Sequence, residues 1–260
     1  MRFQVEASLT YDFAAPCEVL LLVEAAHGRD QQVTSDALTF WPPAPARRID
    51  DPSTGERRTV FAASGRINAL YRATVETAAS DHGLAGAEET AIADLPSEVL
   101  PYLRASRYSP SDRLMRFVER EFGGLRGGEK VASILAWIAD HVDYRAGVSH
   151  AATTAVDTLV DRAGVCRDFS HLAIALCRAG NIPARAVSGY AWRLEPPDLH
   201  AVAEIYLGGR WRLVDPSGLA PLEGLVRVAT GRDAADIAFM TIFGAATLVE
   251  QHFSIDRVGG

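Results

Sequence analysis

From Met1 to about Ala79, apolar and polar residues alternate through five stretches: RFQVEASLTYDF, CEVLLLVEAA, QQVTSDALTFWP, RRTVFAAS and NALYRATVETA. A period of two without a helical stripe predicts strands, and Pro, Gly and Asp between the stretches predict turns. The longest interruption, APARRIDDPSTGERR, reads as an exposed turn rather than a linker. A β-sandwich-like region is the economical way to bury such strands. From Ser80 to Tyr108 Gly and Pro break any long element, and the domain boundary is placed here, giving residues 1–95 and 96–260. Past it the period lengthens to three and four. SDRLMRFVEREF and GGEKVASILAWIADHVDY each carry one apolar stripe, the second through Val131, Ile134, Leu135, Ile138 and Val142. Residues 149–160 read as a loop entering a short helix with Asp157 as N-cap.

With 48% hydrophobic and 23% charged residues in 260, the chain can bury a core without metal or disulfide staples. The formal net charge is −7, with Lys130 the single lysine and the arginines scattered, so no basic stripe invites nucleic acid. Three cysteines, Cys17, Cys166 and Cys177, form no CxxC pair, and the histidines lack ligand spacing. Neither a disulfide framework, a metal site nor a cofactor is implied. No apolar run approaches the roughly 18 residues of a membrane span, and the start lacks a signal-peptide block. A soluble, cytoplasmic protein with reduced thiols is expected.

The chemistry concentrates in DRAGVCRDFSHLAIALCRAGNIPAR. Gly164 permits a tight turn, and Phe169, Leu172, Ala173 and Leu176 make a buried helical stripe that puts Cys166 on the first turn. Unsatisfied N–H groups and the positive end of the dipole favour a thiolate there. A buried structural cysteine is the alternative. His171 lies about 140° around the helix from Cys166 and faces elsewhere, with Ser170 the nearer neighbour of the thiol; Cys177 is about 16 Å along the axis and reads as core. A second histidine stands in DLHAVAEIYLGGRWRLVDPSG, where Gly208 and Gly209 form a two-residue hairpin turn. If Leu207 faces Arg210, then Val202 faces Asp215, and His200 and Asp215 are diagonal neighbours on one face within reach of each other. A carboxylate-held imidazole is the orienting half of a Cys-His-Asp triad. The alternative is a strand-end histidine and a turn-opening aspartate.

These segments resemble the transglutaminase-like superfamily, in the bacterial branch that joins a β-rich N-terminal region to a papain-like core. GVCRDFSHLAIALCRAGNIPARAVSGY resembles that family's cysteine motif, DLHAVAEIYLGGRW its histidine motif and LVDPS its aspartate motif. Val202 stands where a tryptophan commonly follows His-Ala, and Ser217 where threonine is usual. The resemblance implies an α+β fold, helices packed on an antiparallel sheet, with Cys166 as nucleophile, His200 as general acid/base and Asp215 as orienter. A cysteine protease or amidase acting through a thioester acyl-enzyme is the expected function, its partner a peptide or protein substrate with an amide bond. A protein-glutamine transamidase uses the same triad, and a non-catalytic binding module or a thiol redox sensor would use the fold without turnover. The Cys166 N–H is one oxyanion donor. Tyr144 is considered for the second, against a core role. Tyr190 and Trp192 are considered as substrate-cleft walls, against ordinary core or loop positions. The apolar β-rich region is compatible with a homodimer.

Overall fold

A computed structural model describes residues 1–80 and 82–259. Its elements in chain order are β1 (Arg2–Leu21), β2 (Gln31–Trp41), β3 (Ala46–Asp50), β4 (Arg57–Thr77), α1 (Met115–Phe122), α2 (Gly127–His141), β5 (Asp143–Tyr144), α3 (Ala155–Asp161), β6 (Ala163–Gly164) and α4 (Cys166–Ala179). There follow β7 (Ala184–Ala191), β8 (Leu199–Leu207), β9 (Arg210–Val214), β10 (Leu225–Gly231), α5 (Ala234–Ile237), β11 (Met240–Ile242) and β12 (Ala246–Arg257). The architecture is α+β, with antiparallel main sheets. Among the described residues no helix is long and apolar enough to cross a membrane.

The β-rich region is a six-stranded sheet built on two long strands. β1 and β4 pair along almost their whole length, β2 and β3 add to different halves of β4, and β12 and β11 add to different halves of β1. The alternation in RFQVEASLTYDF does what period two requires: Phe3, Val5, Ala7, Leu9, Tyr11 and Phe13 all point inward and are buried. Four of the five expected strands are thus halves of two. The register slips between Phe13, which pairs with Gly65, and Cys17, which pairs with Ala63. Ala14, Ala15 and Pro16 bulge out there, so the proline that looks like a strand break leaves the ladder without ending it.

The C-terminal residues depart from the expected boundary. Residues 240–257, grouped by sequence with the second region, return to the first: Phe3 pairs with Arg257 and Phe13 with Ala246. Local pattern marks such a segment as a strand but carries no information about which sheet receives it.

The second sheet runs β10-β7-β8-β9. Against it packs α4, almost wholly buried from Asp168 to Arg178, with α1, α2 and α3 contacting α4. One continuous core joins Phe3 and Val5 of the first sheet to Leu172 and Leu176 of α4. Polar clasps reinforce the junction. Glu56 accepts hydrogen bonds from the Thr230 N–H at 2.8 Å and its hydroxyl at 3.0 Å, and the Gln31 side-chain amide exchanges two with the backbone of Arg227, at 2.8 and 2.7 Å.

Phe253 of β12 is 3% exposed, packed against Tyr190 and Phe239. Phe253→Ala is expected to destabilise the whole chain by about 3–5 kcal/mol, the usual range for emptying an aromatic site in a core. Urea denaturation followed by fluorescence checks this; an unchanged midpoint would mean that the tail is an appended arm.

Candidate active site

Cys166 opens α4. Its first turn is braced by Asp168, whose Oδ2 accepts the N–H of Val165 at 2.9 Å while Oδ1 takes the Arg167 guanidinium at 3.0 and 3.2 Å. Arg167 reaches on to the carbonyl of His150 at 2.9 Å. Gly164 is needed for the close approach of this carboxylate: a Cβ there would stand 2.6 Å from the Cβ of Asp168. A neighbouring helix start uses another cap than expected, since Thr154 is the N-cap of α3 and Asp157 completes a capping box at the third position. Asp157 fits that role because its carboxylate reaches back to the Thr154 N–H at 2.8 Å.

The β8–β9 hairpin has the expected register, with Leu207 opposite Arg210, Tyr206 opposite Trp211 and Glu204 opposite Leu213. Gly208 and Gly209 have φ of 59° and 75°, as a type I′ turn demands at both central positions. His200 Nε2 thereby meets Asp215 Oδ2 at 2.8 Å. Ser217 donates twice to Asp215 Oδ1, from its N–H at 2.9 Å and its hydroxyl at 2.7 Å, and the Ala220 N–H donates to Oδ2 at 3.2 Å. Serine where threonine was the usual residue thus keeps the bracing hydroxyl.

The helix and the hairpin are tied beside the candidate nucleophile. Ser170, one turn beyond Cys166, donates its hydroxyl to the carbonyl of Ala201 at 2.9 Å. The Cys166 thiol then lies near enough to the His200 ring to influence its charge, and the ring's Nδ1 is buried without a hydrogen-bond partner. Burial alone would lower the pKa of this imidazole; the hydrogen bond to Asp215, the adjacent thiol and the Asp215 charge outweigh it and raise the ring to about 9. Burial alone would raise the Asp215 carboxyl, and the contacts with His200 and Ser217 instead hold it below the usual range. The three residues expected to form a triad therefore meet in one place.

Tyr144 joins them. Its ring leans on Phe169, and it is 47% exposed, so it is no core aromatic. The parallel pairing of β5 with β6, Tyr144 opposite Gly164, delivers its hydroxyl beside the Cys166 backbone N–H and thiol, with which it interacts. A two-residue strand has no periodicity to read, so only the spatial pairing reveals this placement.

Tyr190 and Trp192 do not wall the cleft. Tyr190 is 1% exposed and donates to the carbonyl of Val23 at 2.6 Å, clasping the two sheets together. Trp192 packs on Phe3, with Arg193 and Arg257 over its ring. Both point toward the first sheet, a long-range contact that a loop sequence cannot announce. His171 and Cys177 are core residues as expected: the first stacks on Tyr108 and accepts the Ala234 N–H at 3.1 Å, and burial lowers it to about 4; burial pushes the Cys177 thiol up to about 12. Among the described residues no three His, Cys, Asp or Glu side chains gather as metal ligands.

Residues 103–216 match the model of the transglutaminase-like superfamily. A solved structure from Cytophaga hutchinsonii, described as a candidate cysteine protease, is similar to the whole chain: TM-score 0.93, 38% identity, covering 100% of this chain and 91% of that one. An uncharacterized protein of Mycobacterium leprae is 27% identical over 160 residues, 58% of this chain and 56% of its own length. One of Mycobacterium tuberculosis is 35% identical over 109 residues, 36% of this chain and 35% of its own. The chain thus spans little more than half of the first of these curated relatives and about a third of the second.

The contacts around His200 predict its titration. In the folded protein its imidazolium persists up to about pH 9, and Asp215→Ala, by removing the largest raising contact, moves the transition to lower pH. NMR of the His200 ring in both proteins checks this; a wild-type ring titrating near the ordinary 6.5 would contradict the arrangement.

Proposed function

The chain belongs to the transglutaminase-like superfamily, and on that footing we propose that it hydrolyses a peptide or amide bond through a thioester acyl-enzyme on Cys166. The observation that carries this reading is the His200 Nε2 to Asp215 contact at 2.8 Å, because it leaves Nδ1 as the nitrogen free to serve the thiol. Nε2–H stays donated to the carboxylate, so the proton exchanged with sulfur is carried at Nδ1.

The steps follow from that orientation. Cys166 Sγ attacks the carbonyl carbon with the thiol's proton already held at His200 Nδ1. The new oxyanion takes the Cys166 backbone N–H at the start of α4, and Tyr144, whose hydroxyl lies beside that N–H, is the second donor. Collapse breaks the C–N bond, and the departing amine leaves with the proton from Nδ1. Water then attacks the thioester and gives one proton to the same nitrogen, which returns it to the sulfur as the carboxylic acid product departs. Asp215 holds the ring and stabilises the imidazolium without taking up the proton.

Cys166→Ala is expected to abolish turnover of glutamine-containing peptides, and His200→Ala to lower kcat by at least about a thousandfold, in line with a dismantled triad. Tyr144→Phe is expected to lower kcat by about 10²-fold with KM little changed, the effect of losing one oxyanion donor. Mass spectrometry of products, with ammonia release against amine adducts, separates hydrolysis from transfer. Full turnover in Cys166→Ala would overturn the proposal.

A further inference from the structure

The β8–β9 ladder stops one bonded pair short of the site. In a two-residue hairpin the residues flanking the turn form a hydrogen-bonded pair, and such pairs recur at every second position. Counting from Leu207 and Arg210, the next bonded pairs are Ile205 with Arg212 and Ala203 with Val214, where the ladder ends. The one after that would join Ala201 to Pro216. Proline has no N–H, so Pro216 cannot donate to the Ala201 carbonyl.

The missing donor comes from another element. Ser170 of α4, 1% exposed, gives its hydroxyl to the Ala201 carbonyl at 2.9 Å. A serine inside a helix ordinarily turns its hydroxyl to solvent or back to the carbonyl one turn earlier, which here belongs to Cys166. Ser170 does neither and reaches across to β8. It stands about 6 Å along the axis and about 40° around the helix from Cys166, and Ala201 is the chain neighbour of His200. Deeper in the seam the two elements meet through apolar residues, with Leu172, Ala173 and Leu176 in one core with Ala203 and Ile205. Apolar burial is non-directional, so it holds the helix on the strand without fixing its slide or rotation. A hydrogen bond of normal length and direction fixes both.

We infer that Ser170 is a positioning residue: by supplying the donor that Pro216 withholds, it sets the height of Cys166 against His200. The inference rests on the reading of Cys166 as the nucleophile. Ser170 acts through the carbonyl next to the imidazole and not on the reacting atoms themselves.

Alkylation of Cys166 by iodoacetamide across pH, with the modified cysteine identified by peptide mapping, tests this in the intact chain. In Ser170→Ala the rate at neutral pH is expected to fall roughly tenfold or more, the scale of a small misplacement of reacting groups. The pH at which Cys166 becomes reactive is expected to rise toward the ordinary thiol value of about 8.5. The His200 ring, followed by NMR, is expected to titrate lower as it loses the adjacent thiolate, its contact with Asp215 being untouched. A double variant, Ser170→Ala with Pro216→Ala, separates position from mere satisfaction of the carbonyl. It returns an N–H to the ladder opposite Ala201 but leaves α4 untied, and it carries the comparison if Ser170→Ala alone does not fold. Relative to Pro216→Ala, it is expected to lose the same roughly tenfold in rate. A double variant as reactive as Pro216→Ala means that the serine only satisfies a carbonyl, and overturns the positioning role. An unchanged alkylation profile in Ser170→Ala does the same, however far its urea midpoint falls. Wild-type Cys166 labelling no faster than Cys177 overturns the nucleophile instead, and the positioning role with it.

Discussion

A slip of one residue between β8 and β9 would turn Asp215 to the far face of the sheet, because side chains alternate with a period of two. Everything at the site depends on that register. It is held at one end by two glycines in a conformation that other residues adopt at a penalty, and at the other by a carboxylate that already takes three hydrogen bonds from its own loop. His200 is then aimed by a rigid partner rather than a free one. The helix that carries Cys166 is located against the same strand by Ser170 and Ala201, so sulfur and imidazole are placed by neighbouring points of one hairpin.

The first sheet is more than an appendage to this arrangement. Its buried residues run into the core of the second region without a gap, and its polar contacts cross the junction at Glu56, Gln31 and Tyr190. Arg227 is gathered by Asp30 from one side and Glu204 from the other, at 2.9 and 3.4 Å. Buried ion pairs of this sort stabilise weakly in net terms, but one partner without the other is strongly destabilising, so they make the relative placement of the two sheets specific. Because β7 carries Tyr190 within this junction and leads through the Asp198 loop to His200, rigidity at the junction is rigidity at one wall of the cleft.

Features governed by short-range rules were legible in the sequence, and features created by distant pairing were not. The hairpin register, the helix opened by Cys166 and the core roles of His171 and Cys177 all follow from periods, turns and first-turn chemistry. Pro16 and Gly65 look like strand ends, yet each lies where two long strands continue past a bulge. Tyr144 sits on a strand of two residues whose partner lies beyond an intervening helix. Tyr190 and Trp192 are aromatic residues in a stretch leading to the histidine, and only the returning tail and the first strand determine that they pack inward.

That returning tail also bears on how the protein comes to be made. β1 has β4 on one side early in synthesis, but its other side is covered by β11 and β12, the last elements described. Pairings between such distant segments are slow to form, since the loop must close before the contact can contribute. A ribosome-bound chain can therefore hold Cys166, His200 and Asp215 outside the tunnel while the first sheet still lacks its edge and the core beneath Tyr190 lacks Phe253. Assembly of the setting around Cys166 is therefore deferred until β12 has been synthesised and has paired with β1, which makes docking of that strand a checkpoint on maturation.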